Sequence, residues 1–217
     1  MEHRFVESNF ETRALANDKA IIAGYASVFD RDSQPLFEGY RGRFIEQFRQ
    51  GAFAKTIRET DDIRGLWNHE TNFVIGRTRA GTLRLSEDTI GLHYELDADL
   101  GNSDVRNLYR QIERGDVTES SIGFIVPEGK DDWDFDAEPI RRTVREARLY
   151  DVSPVVFAAY LDTTSESRAA LKSLATATRR PLDELLTAVE AGSISTYLRR
   201  ERGQSSQRRL LALLESD

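Results

Sequence analysis

The stretch "GTLRLSEDTIGLHYELDADL", Gly81–Leu100, decides the fold class, because two runs in it alternate with a period of two. Leu83 and Leu85 alternate with Thr82 and Arg84, and Leu92, Tyr94 and Leu96 alternate with His93 and Glu95. Alternation of that kind belongs to strands with one buried face. The intervening "SEDTIG" supplies a turn, so the two runs predict a β-hairpin. The same parity sends His93 to the solvent side with Glu95.

Downstream, "NSDVRNLYRQIERGDV" predicts a helix with signals at both ends. Asn102 or Ser103 caps its start and Gly115 stands just past its end. Val105, Leu108, Tyr109 and Ile112 form one apolar stripe that faces a core. "VTESSIGFIV" (117–126) then reads as a strand, "EGKDDWDFDAEPIRR" (128–142) as an acidic exposed loop, and "TVREARLYDVSPVVFAAY" (143–160) as a last strand region broken by Pro154. Upstream, "AIIAGYASVF" (20–29) reads as the first buried strand. A helix of about two turns is expected from Ala52, and "IRGLWNH" (63–69) reads as a strand ending near its histidine. The N-terminus, with His3, reads as a polar segment that frays. After Thr163 the aromatic residues thin to a lone Tyr, and Ser, Thr, Arg and Leu dominate. Pro181 followed by Leu182, Leu185 and Leu186 predicts helical segments outside the β core.

Composition removes several function classes. The 217 residues suit one well-cored domain with an appendage, or two small domains. A net charge of −7 gives no general attraction to nucleic acid or anionic membrane, so neither is expected as a partner. No apolar run reaches bilayer-spanning length, and the N-terminal residues hold no signal core. With no cysteine, there is no disulfide, thiolate metal site or cysteine nucleophile. Three scattered histidines without HExxH imply no metal, and the absence of a P-loop or GxGxxG implies no nucleotide cofactor.

Chemistry concentrates in three places. In "ESSIGF", Ser120 shares a strand face with the core-seeking Ile122, Phe124 and Val126, which turns Ser121 to the other face beside Gly123. Ser121 is therefore the preferred nucleophile and Ser120 the alternative, with Gly123 leaving room for a substrate backbone or an oxyanion site. The candidate base is His69, since His93 faces solvent and His3 lies in the terminus, although a hydrogen-bonded structural histidine would also suit that position. The orienting acid is Asp151, embedded in "LYDVSPVV" where a carboxylate needs a partner, with Glu146 as the alternative.

The ordered series "GYASVFD", "GAFAKTI", "LWNH…IGRT", "GLHYELD", "RGDVTESSIGF" and "LYDVSPVVFAAY" resembles the prohead (head maturation) proteases of tailed phages, over about residues 20 to 165. That family is similar in fold to the herpesvirus assemblins. The resemblance implies an α+β protein: a small closed, mostly antiparallel β-barrel surrounded by helices. It implies that His69 and Ser121 act as base and nucleophile, and puts Asp151 where many members carry Glu. No Arg-Arg pair follows Asp151 to match the assemblin oxyanion arginines, so that role has no candidate.

The expected organisation is an N-terminal extension (1–19), a protease domain (20–162) and a helical or partly disordered tail (163–217). The implied activity is a serine endopeptidase that cuts scaffold or major capsid protein inside the assembling procapsid, in the host cytoplasm. Self-cleavage of the tail and a homodimer are further expectations of the resemblance. The alternative is a noncatalytic assembly scaffold with a protease-like fold.

Overall fold

A computed structural model describes residues 1–39, 42–59, 62–156, 172–176 and 178–190. In chain order the elements are β1 (Glu2–Glu7), β2 (Glu11–Ala14), β3 (Lys19–Val28), β4 (Leu36–Gly39), β5 (Gly42–Phe48), α1 (Ala54–Arg58), β6 (Arg64–Trp67) and β7 (Glu70–Arg77). After them come β8 (Leu83–Glu87), β9 (Gly91–Asp99), α2 (Ser103–Arg114), β10 (Glu119–Ile125), β11 (Asp131–Asp134), β12 (Ile140–Val144), β13 (Arg148–Val155) and α3 (Leu182–Glu190). The protein is α+β and mostly strand.

The Gly81–Leu100 hairpin forms as its alternation predicts. Leu83 faces Leu96 and Leu85 faces Tyr94 across the β8–β9 ladder, and Leu92, Tyr94 and Leu96 are fully buried. Helix α2 carries its predicted signals: the Asn102 side chain accepts the Asp104 N–H, and Gly115 ends the helix in the left-handed region at φ 80°. Its stripe of Val105, Leu108, Tyr109 and Ile112 is buried in the main core with Ile22, Ile122, Phe124 and Val152.

The strands form three sheets, ordered β1-β10-β13-β6-β7, β2-β3-β9-β8 and β11-β12-β5-β4. They do not close into the expected barrel. Closure needs a continuous ladder between sheet edges, whereas the described strands meet through packing and through an isolated bridge between Phe29 and Phe48. A register shift between Tyr25 and Ser27 bends β3 ahead of that bridge.

Three further expectations change. The strand at 20–29 is the third rather than the first, because the N-terminal residues do not fray: β1 pairs with β10 along its length. The acidic "loop" 128–142 contains β11 and the start of β12. Both segments hid their alternation because charged residues fill the buried positions. Glu2, Arg4 and Arg142 are all buried, and they are held by mutual ion pairs together with Glu46 and Asp131. Helix α1 is shorter than expected, since Ala52 and Phe53 are buried ahead of it and the Phe53 N–H donates to Glu87 Oε1 at 2.8 Å.

In the tail, residues 172–176 are helical and α3 follows. Leu174, Leu185 and Ala188 pack on Ile140 in a small cluster apart from the main core. Residues 157–162 of the expected protease domain, and 163–171, 177 and 191–217 of the expected tail, lie outside the described residues. No described helix is long and apolar enough to cross a membrane.

Candidate active site

The central sheet builds the site from three neighbouring strands and one turn. In β10, Ser120 turns inward, where it is fully buried and its hydroxyl lies 2.9 Å from that of Tyr94. Burial pushes the Tyr94 hydroxyl well above the ordinary phenol range, so it stays neutral. Ser120 thus serves the core. Ser121 and Gly123 occupy the opposite face, and the antiparallel register sets Ser121 beside Ser153 and Gly123 beside Asp151 of β13.

His69 arrives from the turn that joins β6 to β7. Trp67 pairs with Glu70, leaving Asn68 and His69 as a two-residue loop with φ 50° and 61°. Such loops require positive φ at both positions, which Asn and His adopt more readily than most residues other than Gly. The turn is tied down on β13. Asn68 N–H donates to the Pro154 carbonyl at 3.1 Å, and the Asn68 side-chain oxygen accepts the Val156 N–H at 3.0 Å. One strand therefore carries the acid and anchors the loop bearing the imidazole.

The side chains form a continuous hydrogen-bonded line. His69 Nδ1 is 2.5 Å from Asp151 Oδ1, and His69 Nε2 is 2.6 Å from Ser121 Oγ. An ionised Asp151 only accepts, so the proton on the ring belongs on Nδ1, which leaves Nε2 as the acceptor for the Ser121 hydroxyl. Ser153 donates its hydroxyl to Asp151 Oδ1 at 2.8 Å. Asp151 is only 4% exposed, and its remaining charge is stabilised by these donors.

The structure thus brings Ser121, His69 and Asp151 together and leaves the alternatives elsewhere. Glu146 lies 3.1 Å from Lys55 Nζ and 3.0 Å from Lys130 Nζ. These lysines hold its carboxyl below the usual range, in an ion pair apart from His69. At Gly123 a Cβ would fall 2.0 Å from Asp151 Oδ2, so its bare Cα makes room for the acid.

Two residues were missed from sequence. Ser153 stands two positions after Asp151, so strand periodicity alone would have put it on the same face. His3, dismissed with the N-terminus, stacks on His69 with ring centroids 4.0 Å apart. Ligand atoms of His3, His69 and Asp151 lie within 4.8 Å of one another. Both His69 nitrogens are already engaged, however, and stacked rings do not aim their lone pairs at one point. The donor set fits a proton relay better than a metal centre.

A Ser–His–Asp line on an α+β scaffold is the arrangement of a serine hydrolase. Comparison with protein families narrows the class: the model of the caudovirus prohead serine proteases matches residues 8–178, and the chain belongs to that family. No curated protein and no solved structure matches it.

Proposed function

We propose that this chain is an endopeptidase of phage head maturation in which Ser121 is the nucleophile, His69 the general base and Asp151 the orienting acid. The carrying observation is the continuous line from Asp151 through His69 to Ser121, with both ring nitrogens within 2.6 Å of their partners. As Ser121 Oγ attacks the scissile carbonyl, its proton passes to His69 Nε2, and Asp151 stabilises the resulting imidazolium. His69 then gives that proton to the leaving amine, and the C–N bond breaks to leave an acyl-enzyme. Water, deprotonated by the same imidazole, attacks the ester and restores Ser121. The relay uses no metal or cofactor.

The substrates on this reading are scaffold or major capsid protein inside the procapsid, in the host cytoplasm. Residues 20–162 form the catalytic unit, joined by β1 from the 1–19 segment, and the tail from 163 is a packaging or scaffold-like segment that the enzyme removes from itself. A homodimer is part of the same proposal.

Intact-mass spectrometry tests the reading on the chain co-expressed with its capsid or scaffold partner, as wild type and as Ser121→Ala. Discrete fragments that vanish in the variant support it and report the cleavage sites. Identical patterns in both would remove Ser121 from the mechanism and favour a noncatalytic assembly scaffold.

A further inference from the structure

Strand β1 runs between two polar regions, and its alternation assigns one residue to each in turn. Glu2 and Arg4 turn into the buried ion cluster, so His3 faces the other way, opposite Gly123 and on the face that carries Ser121. Its ring lies on the ring of His69 with centroids 4.0 Å apart and planes 26° apart. We propose that His3 is a positioning residue, which holds the His69 imidazole in the orientation that meets Asp151 and Ser121 together. The proposal rests on the role given to His69 above.

The geometry explains why a ring on that face is needed. The two hydrogen bonds of His69 fix the ring at two corners, Nδ1 and Nε2. Rotation about the line through those contacts leaves both distances unchanged and alters only the angles, to which hydrogen bonds are more tolerant. Because Cγ and Cβ lie off that line, the rotation requires the His69 side chain to turn about χ1 and χ2, and a ring packed on the flat face of the imidazole opposes that turn. The turn backbone, held through Asn68, places the His69 Cα but leaves its side chain to turn about χ1 and χ2. His3, by contrast, is fixed by pairing on β1 and by the ion pairs of its neighbours: Arg4 Nε is 2.7 Å from Glu46 Oε1, and Glu2 Oε2 is 2.6 Å from Arg142 Nη1. The buried cluster thereby sets the place of His3, and His3 sets the plane of His69.

The test compares His3→Ala with His3→Phe in the full chain, because Phe keeps a flat ring and removes the imidazole nitrogens. Stacking predicts that His3→Ala lowers kcat by about ten- to a hundredfold with KM changed by less than about twofold. His3→Phe should recover activity to within about threefold of wild type. A second readout needs no substrate: the proton on His69 Nδ1, shared with Asp151, should give a low-field NMR signal. That signal should survive in His3→Phe and be broadened by solvent exchange in His3→Ala, with both chains melting as cooperatively as wild type. Unchanged kcat and signal in His3→Ala would overturn the proposal, as would loss of both in His3→Phe with the fold intact. If wild type cleaves nothing, the protease reading fails, while the NMR comparison still decides the role of His3.

Discussion

Two buried polar regions flank the N-terminal strand, and they differ in how their charges are satisfied. On one side Glu2, Arg4, Glu46, Asp131 and Arg142 form an ionic knot: Arg142 alone lies 2.6 Å from Glu2, and 2.7 Å from both Glu46 and Asp131. Burial on its own would weaken the Arg142 charge, but Glu46, Glu2 and Asp131 more than offset it and hold the guanidinium above its ordinary pKa. On the other side Asp151 meets a hydroxyl and an imidazole instead of a guanidinium. The knot has the deeper burial and the greater charge, yet none of its members has a proton poised for transfer. A buried charge matched by fixed opposite charges ties strands together; one matched by a titratable donor is equipped for chemistry.

Asp151→Asn gives the sharpest test of that division. An amide nitrogen facing Nδ1 favours the tautomer with its proton on Nε2, which can no longer accept from Ser121. The expected result is a fall in kcat of about ten-thousandfold, by analogy with triads in which the acid fixes the tautomer. The melting temperature should change far less than the rate. A large loss of stability with the rate per folded molecule preserved would make Asp151 a tie like Asp131, and the division would fail.

Arg142→Met is expected to do the reverse. It leaves Glu2, Glu46 and Asp131 without their shared cation, and breaking one side of a buried ion pair costs about 3–5 kcal/mol. Chemical denaturation should show that loss, while cleavage per folded molecule falls no further than in His3→Ala, since the cluster reaches the chemistry only through His3. A selective collapse of kcat at unchanged stability would place the knot within the chemistry.

The same contrast explains what the sequence made legible. The line of Ser121, His69 and Asp151 is legible because its members sit where local rules point. Ser121 follows from strand parity against Ile122 and Phe124, His69 from the end of an apolar run, and Asp151 from an isolated charge among Val, Leu and Tyr. The hairpin at 83–96 and the caps of α2 were equally local. The knot obeys no local rule, since Arg142 and Glu2 stand 140 positions apart and each looks solvent-bound in its own window. With the knot hidden, the local pattern of β1, β11 and the start of β12 reads as terminus or loop, and His3 is hidden with them. Barrel closure failed for a related reason: sheet edges are set by pairings between distant strands, which alternation within one strand does not encode.

Glu87 supplies the smallest test, as a carboxylate with neither kind of partner just compared. It accepts the Phe53 N–H at 2.8 Å, but burial outweighs that bond and raises its pKa above the ordinary glutamate value. A carboxyl raised in the folded state contributes stability that is present below its unfolded pKa and lost as pH rises through its folded one. At neutral pH the ionised form is thus a net cost. Glu87→Gln removes the charge and keeps an oxygen to accept from Phe53. It is expected to raise Tm at about pH 7, with the gain shrinking towards zero near pH 4 and below, where Glu87 is already protonated in both states. Thermal melts of the two chains across that range provide the check. A lower Tm for the Gln chain at neutral pH would show that the charged acceptor strengthens the Phe53 bond by more than burial costs, and an unpartnered carboxylate would then be a tie in its own right.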